Sequence, residues 1–405
     1  MRPCSYRRRS LVLALAVLLS ACAPSLVRNP APEAMLGQAH PLGVPGLRSW
    51  GDALSPEDVD AFVERRGAIM KAAYGPEIAA GRTPTLNYLA LSGGGQWGAF
   101  GAGVLRAWSD SGARPVFAGV SGISTGAIIA PFAFLGPKYD HVLEEIYTGY
   151  STEDLIEPTI FSGLVSGASL ADTSKLEAII AEKVTPALLA EVAEEHRKGR
   201  FLLVGTTNLD AGRPMIWNMG AIAASGLPGA PHLFRQLILA SASIPVAFPP
   251  AIIKVVAPDG RVYDELHVDG GATSQVTFVA PDVPIRDVTV AALGRNLDRR
   301  LYLIMNNDLA PPYAPVRPRI GDIGGAAVSA LIRGSGTGDL YKIYLIAERD
   351  EIAFKAGWIP AELPCSDPQE AFDKVFMSCL YKVGADLFRS GELWRDLPPN
   401  FVLEP

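Results

Sequence analysis

Basic runs are missing from this sequence of 405 residues, apart from a cluster of arginines at the N-terminus. Charged residues make up 19% of the chain, and the formal net charge is −6. Proteins that bind nucleic acid usually present a basic patch to the phosphates. The composition therefore argues against a nucleic-acid partner, while 49% hydrophobic residues suffice for a large core.

The apolar run near the N-terminus, Leu11–Leu19, is too short to cross a bilayer, which takes about 20 apolar residues. It follows four arginines, as the h-region of a secretory signal does. It ends in Leu19-Ser20-Ala21-Cys22, which resembles the lipobox of bacterial lipoproteins. That resemblance implies removal of residues 1–21, acylation of Cys22 and, with Ala23 following, sorting to the outer membrane of the cell envelope. An ordinary signal peptide cut near Ala21 is the alternative.

Removing residues 1–21 takes away four arginines and no acids, so the mature charge becomes −6 − 4 = −10. An acidic body argues against electrostatic docking on anionic lipid. We therefore expect the membrane to be reached through acyl chains on Cys22.

Cysteines are few: Cys4 leaves with the signal, Cys22 would carry lipid, and Cys365 and Cys379 remain. A helix that begins near Pro368 would place Cys379 about 16 Å along its axis. A disulfide needs Cα atoms within about 7 Å, so the segment from Cys365 would have to fold back. Both the disulfide and the free thiols stay open. Histidines at ligand spacing are missing, so we expect no metal site here.

Proline spacing predicts the domain organisation. Five prolines between residues 22 and 46 predict an extended tether. Residues 47–405 are then one α/β domain with a C-terminal helical elaboration. The first helix is expected from Ser55-Pro56 to about Tyr74, because serine caps a helix and proline fits its first turn.

Short apolar runs alternate with helical stretches from residue 85 onward. This alternation predicts right-handed crossovers and a mostly parallel sheet with helices on both faces. Helices are predicted from Thr125 and from Pro368 toward Leu387. The predicted strands are Leu86–Leu91, Pro115–Val120, Phe201–Thr207, Met215–Asn218, Val288–Ala292 and Leu301–Ile304, with a hairpin of Lys254–Val256 and Arg261–Tyr263.

A glycine-rich segment, Gly93-Gly94-Gly95-Gln96-Trp97-Gly98, lies between a predicted strand and a helix. A dinucleotide site would need an acid at the end of the next strand, and Val120-Ser121-Gly122 supplies none. A phosphate loop would need Gly-Lys-Ser/Thr, which does not follow. Bare glycine amides at a helix N-terminus suit an oxyanion hole. A tight packing turn is the structural alternative.

A second motif, Gly122-Ile123-Ser124-Thr125-Gly126, matches G-x-S-x-G. Such glycines allow a sharp strand-to-helix turn that exposes the serine hydroxyl as a nucleophile. A serine helix cap is the alternative. Two glycine turns in tandem favour the catalytic interpretation.

The base for such a serine is usually histidine, but no histidine follows position 267. The segment His267-Val268-Asp269-Gly270-Gly271 ends a predicted strand, and Asp269 could reach a neighbouring strand's serine. An Asp-Gly turn is the alternative. A Ser-Asp-His triad in its usual chain order finds no histidine after Asp269.

The glycine loop, the G-x-S-x-G one helix later and the distant Asp-Gly-Gly together resemble the patatin-like phospholipases. Ala240–Pro245 and Phe248–Pro250 also resemble that family's block before the aspartate, and the resemblance covers roughly residues 86–275. It implies a three-layer α/β/α sandwich, with Ser124 as nucleophile, Asp269 as base, and Gly93, Gly94 and Gly95 around the oxyanion.

One departure from that family concerns Trp97, which stands where Arg or Lys is usual, and Ser92, where Asp is frequent. We treat Trp97 and His267 as secondary site candidates. The expected function is a lipid acyl hydrolase that acts on phospholipid or other acyl esters without a cofactor. A non-catalytic, lipid-binding envelope lipoprotein on the same fold is the alternative.

Overall fold

The computed structural model describes residues 28–158, 171–310 and 313–401. The predicted signal peptide and Cys22 lie outside these residues. The helices are α1 Pro56–Ala79, α2 Gly98–Asp110, α3 Thr125–Leu135, α4 Asp140–Gly149, α5 Thr152–Leu155, α6 Ser174–Lys183, α7 Pro186–Arg197, α8 Met219–Ala224, α9 Ala230–Ser241, α10 Ile285–Leu293, α11 Ile320–Arg349 and α12 Lys374–Ser390. Single 3-10 turns lie at Glu33–Met35, Gly95–Trp97, Pro137–Tyr139 and Gly270–Ala272.

The strands are β1 His40–Pro41, β2 Arg48–Trp50, β3 Leu86–Leu91, β4 Phe117–Ile123, β5 Glu157–Pro158, β6 Ala171–Asp172, β7 Phe201–Asn208, β8 Arg213–Asn218, β9 Ala251–Val256, β10 Val262–Asp269, β11 Arg299–Asp308 and β12 Ala353–Ile359. Ten of them form one sheet with the main order β1-β9-β10-β7-β4-β3-β11-β12, and β8 joins β2 to β7. The run from β7 to β12 is parallel, whereas β8, β10 and β9 extend it antiparallel. The predicted mostly parallel sheet is confirmed.

Helices cover both faces of the sheet, because successive strand residues point to opposite sides. In β3, Leu89 and Leu91 belong to the larger apolar core, which includes buried residues of α2, α3, α9 and α12. Leu86, Tyr88 and Ala90 belong to a second core, which includes residues of α1, α10 and α11. The predicted three-layer α/β/α sandwich is therefore confirmed.

The proline-rich segment was expected to be a tether, and over residues 28–46 the structure differs. Pro41 lies in β1, which pairs with β9, and Ala39 is fully buried against Val255 and Tyr263. Proline is tolerated here because an edge strand needs hydrogen bonds on one side only. The folded body thus begins by Arg28, whose guanidinium forms an ion pair with Asp210.

Three predicted elements differ in type or extent. Val288–Ala292 was predicted as a strand but lies in helix α10, which packs on α1. Helix α1 continues past Tyr74 to Ala79, with Pro76 in its last turn. Helix α12 begins at Lys374, after the cap of Asp373, and not at Pro368.

The later start of α12 decides the cysteine question. Because residues 366–373 are not helical, Cys365 can return to the second turn of α12, where its Cα lies 5.8 Å from that of Cys379. The two cysteines form a disulfide. No helix in the described part of the chain combines the length and apolar character needed to cross a bilayer.

Candidate active site

Ser124 occupies a sharp turn between β4 and α3. Its φ of 55° lies in the left-handed region, which non-glycine residues rarely adopt. A β-carbon at Gly122 would lie 2.1 Å from the Gly126 carbonyl oxygen, and one at Gly126 would lie 2.4 Å from the Leu91 carbonyl oxygen. Both flanking glycines are thus needed for the turn. The backbone amide of Ser124 donates to the hydroxyl of Ser241 at 2.9 Å.

Asp269 ends β10 and hydrogen-bonds to the side chain of Ser124. Both residues are 5% exposed. Asp269 Oδ1 also accepts the Gly271 amide at 2.7 Å. Burial raises the pKa of Asp269 to about 6, although the hydrogen bonds from Ser124 and Gly271 oppose the rise. A carboxylate with this pKa is ionised at neutral pH and is a stronger base than an exposed aspartate.

The three loop glycines have different roles, and one expectation needs correction. Gly93 was expected to hold an oxyanion, but its amide donates to the carbonyl oxygen of Gln275 at 2.9 Å and is not free for a ligand. The amides of Gly94 and Gly95 make no hydrogen bond to any described residue. Both residues have positive φ, and a β-carbon at Gly94 would lie 1.9 Å from the carbonyl oxygen of Asn306. Two bare donors therefore remain.

The glycine loop lies directly beside the serine. A β-carbon on Gly93 would be 3.2 Å from Ser124 Cβ. Ser124 also precedes the N-terminus of α3, whose field favours negative charge. The arrangement can therefore stabilise an anion that forms next to the serine oxygen.

Two residues that the sequence did not single out hold this site together. The Gln275 side chain donates to the carbonyl oxygen of Gly271 at 2.7 Å, while its own carbonyl accepts from Gly93. The Asn306 amide donates to Ser92 Oγ at 2.7 Å, and its side chain donates to the Ser92 carbonyl oxygen. Neither residue belongs to a motif, because both act mainly on backbone groups.

A third missed residue, Ser241, binds the Ser124 amide and donates to the carbonyl oxygen of Gly205 at 2.6 Å. It lies in the Ala240–Pro245 block, and that block was the one sequence signal that could have identified it.

Trp97 lies at the end of the loop's 3-10 turn and faces α12. Its ring contacts Phe376 edge-on, with 4.9 Å between centroids. It is half-buried against the larger core. This position explains how an indole can occupy the site where the related family usually carries a cation: the side chain packs on a neighbouring helix.

His267 is fully buried but its contacts lead away from the dyad. Its Nδ1 bonds to Thr206 Oγ1 at 2.9 Å, and its Nε2 bonds to Glu265 at 3.2 Å. Because Trp217 donates to Thr206 Oγ1, the Thr206 hydroxyl donates to Nδ1, and Nε2 carries the proton. Burial lowers the pKa of His267, so the ring stays neutral. Both ring nitrogens are thus used, and neither bonds to Ser124 or Asp269.

The histidine network ends in a buried ion pair. Burial alone would raise the pKa of Glu265, but hydrogen bonds from Arg48 and His267 lower it to about 2. Within residues 28–158, 171–310 and 313–401, no three His, Cys, Asp or Glu side chains lie together in a way that could hold a metal ion.

A serine on a strand–turn–helix elbow, a hydrogen-bonded carboxylate and free glycine amides define a site of the acyl-hydrolase class. Residues 89–284 form a patatin-like phospholipase domain, since the family model described as "Patatin-like phospholipase" matches them. This match confirms the resemblance seen in the sequence and supports lipid hydrolysis as the activity of the domain.

Two solved structures share parts of the fold at low identity. VipD from Legionella pneumophila is 15% identical, with 75% of this chain and 67% of that chain covered and a TM-score of 0.32. Human GIVD cytosolic phospholipase A2 is 13% identical, with 68% and 53% covered and a TM-score of 0.27. At such scores neither likeness carries an argument, and the assignment rests on the family model and the site.

A curated protein, the 4-diphosphocytidyl-2-C-methyl-D-erythritol kinase of Thermobifida fusca (strain YX), is 35% identical over 82 residues. The match covers 17% of this chain and 27% of that enzyme. The chain thus spans only about a quarter of this relative, and so short a match assigns no family.

Proposed function

We propose that the protein hydrolyses acyl esters of lipids with Ser124 as nucleophile and Asp269 as general base. The observation that carries this proposal is the hydrogen bond between the Ser124 side chain and a buried carboxyl whose pKa is raised to about 6. The substrate class follows from the patatin-like phospholipase domain, and phospholipids, lysophospholipids and other acyl esters all belong to it.

In the proposed reaction Asp269 takes the proton of the Ser124 hydroxyl as its oxygen attacks the ester carbonyl. The amides of Gly94 and Gly95 bind the tetrahedral oxyanion, and each good donor is worth about 3 kcal/mol in such sites. The proton passes to the leaving alcohol, which leaves an acyl group on Ser124. Water then gives a proton to Asp269 and attacks the acyl carbonyl, which releases the fatty acid and restores the serine. No cofactor takes part in these steps.

The alternative of a non-catalytic lipid-binding protein would leave the strained turn unexplained. A serine at φ 55° costs free energy that plain packing does not require. The raised pKa of Asp269 is a second cost, and such costs cluster at functional sites.

Hydrolysis of a panel of phospholipids, lysophospholipids and short-chain esters tests the proposal. We expect Ser124→Ala and Asp269→Asn each to lower kcat by at least 1,000-fold. Matched controls are Ser378→Ala on α12 and Asp259→Asn in the β9–β10 turn, which carry the same changes at exposed positions. Activity that survives Ser124→Ala would exclude this dyad, and absence of activity in the unmodified protein would favour the lipid-binding alternative.

We also propose that Cys22 carries the lipid anchor that holds the protein in the cell envelope, probed by its lipobox-like sequence. The Cys365–Cys379 disulfide supports an oxidising compartment. Radiolabelled palmitate should enter the unmodified protein in a bacterial host and not its Cys22→Ser variant. Equal labelling of the two would contradict the anchor.

A further inference from the structure

The first half of α11 leaves the packed body. Helix α11 has 30 residues, and its buried residues begin only at Gly336. No residue from 313 to 335 is buried. At about 1.5 Å per residue, the 16 residues from 320 to 335 extend for roughly 24 Å. We call residues 313–335 the apolar arm.

Large apolar side chains are concentrated on this arm. Of the fifteen exposed large hydrophobic residues in the described part of the chain, seven lie here. They are Tyr313, Val316, Ile320, Ile323, Val328, Leu331 and Ile332. Ile320 is 94% exposed and Leu331 is 72% exposed, values that a water-facing helix gains nothing from.

The helical part of the arm is amphipathic. Ile320, Ile323 and Leu331 share one face, at spacings of three and eight residues. Asp322 and Arg333, eleven residues apart, fall together on the opposite face. A helix with one apolar stripe and one polar stripe fits the boundary between water and an apolar phase.

The arm's charge differs from that of the chain. It carries Arg317, Arg319 and Arg333 against one acid, Asp322, which gives 3 − 1 = +2, whereas the whole chain has −6. A positive, apolar segment is complementary to anionic phospholipid headgroups over acyl chains. The same net charge would repel the same segment of a second copy. The acidic total predicted no docking on anionic lipid, but it does not describe this local surface.

The arm is connected to the dyad. A β-carbon at Gly336, where the helix enters the body, would lie 3.6 Å from Gln275 Cβ, and Gln275 binds the Asp269 turn. A second exposed apolar tip, Ile244 and Val246, follows Ser243, whose carbonyl accepts the Asp269 amide at 2.9 Å.

We propose that the apolar arm is the surface with which this protein lies on an anionic phospholipid layer, with Ile320, Ile323 and Leu331 in the acyl region. The inference rests on the proposed lipid hydrolysis and adds how the enzyme reaches its substrate. The helix lies in the plane of the surface, so the dyad at its inner end faces the same layer.

The test uses the full chain with Cys22→Ser, so that no acyl chain at that position contributes to binding. The arm variant carries Ile320→Gln, Ile323→Gln and Leu331→Gln. The matched control carries Val116→Gln, Val262→Gln and Val375→Gln, three exposed apolar positions elsewhere. Each protein is sedimented with vesicles of phosphatidylcholine alone or with 30% phosphatidylglycerol, and assayed on these vesicles and on a soluble short-chain ester.

We expect the arm variant to lose at least tenfold in binding to phosphatidylglycerol vesicles and in their hydrolysis, with hydrolysis of the soluble ester unchanged. The control should match the unmodified arm in every assay. Equal vesicle binding by arm variant and control would overturn the proposal, as would a dimer in light scattering that only the arm variant dissociates. If the soluble ester is not cleaved by any form while vesicle binding still depends on the arm, the proposed hydrolysis fails and the surface stands.

Discussion

The amide of Gly93 donates a hydrogen bond to the carbonyl oxygen of Gln275 at 2.9 Å. Through its side chain Gln275 also binds Gly271, whose amide binds Asp269. One residue therefore connects the loop that bares the oxyanion donors to the turn that carries the base. Asp269 bonds in turn to Ser124, and Ser124 lies against Gly93, so the contacts form a closed ring.

This ring predicts the effect of Gln275→Leu, which keeps the volume and the backbone carbonyl but removes the bond to Gly271. We expect kcat to fall roughly 10- to 100-fold, because small displacements of catalytic groups cost that much. KM should change little. The control is Gln236→Leu, which removes a similar bond to the Ile252 carbonyl oxygen. A fall in both variants alike would point to general destabilisation.

The pH dependence of kcat/KM follows from Asp269. The base must be ionised, and burial raises its pKa to about 6. Activity on a soluble ester should therefore rise tenfold per pH unit below about pH 6 and level off above it. A rise centred near pH 4 would mean that the carboxyl is hydrated in solution. A rise centred near pH 7 that His267→Gln abolishes would favour a histidine base.

Asp269→Asn should inactivate the protein and stabilise it. A carboxyl whose folded pKa exceeds its unfolded value stabilises the fold when protonated, and this contribution is lost as the pH rises through about 6. The uncharged amide avoids that loss, so we expect a gain on the order of 1–3 kcal/mol at pH 8. Thermal unfolding at pH 8 and pH 4 measures it. Asp259→Asn, whose carboxyl has a lowered pKa, should give no gain.

Arg48 and Glu265 form a buried pair between the N-terminal segment and β10. Arg48→Met leaves the Glu265 carboxylate buried without its cation, which we expect to cost about 3–5 kcal/mol. Arg48→Met with Glu265→Leu removes both charges and should recover most of that loss. Urea unfolding of the two variants gives the comparison. Equal destabilisation by both would show that the pair's charge is not the cause.

The disulfide predicts a response to reductant. Closing the 14-residue separation between Cys365 and Cys379 should contribute about 3 kcal/mol to the free energy of unfolding. Dithiothreitol should lower the Tm of the unmodified protein. A Cys365→Ser, Cys379→Ser variant should start at the lower Tm and not respond. A response in that variant would place the reductant's effect elsewhere.

The sequence predicted the parts of this protein that depend on local backbone demands. β3 is bounded as expected, since glycines end it, and the serine elbow needs glycines that the sequence displays. Val288–Ala292 was missed because β-branched residues favour strands only when a sheet neighbour is available, and here α1 is the neighbour.

The supporting residues of the site could not be predicted in the same way. Gln275 and Asn306 act largely through main-chain groups, which every residue has, and their places depend on long-range sheet register. The packing of residues 28–46 was hidden because prolines in an edge strand look like prolines in a linker. The loss of Gly93 as a donor also required a partner distant in sequence.

The most direct measurement of the central claim is peptide mass mapping after treatment with a fluorophosphonate. The account predicts one adduct, on Ser124, in the unmodified protein and in Asp259→Asn, and labelling at least 1,000-fold slower in Asp269→Asn. An adduct on another serine, or an unchanged rate in Asp269→Asn, would contradict it.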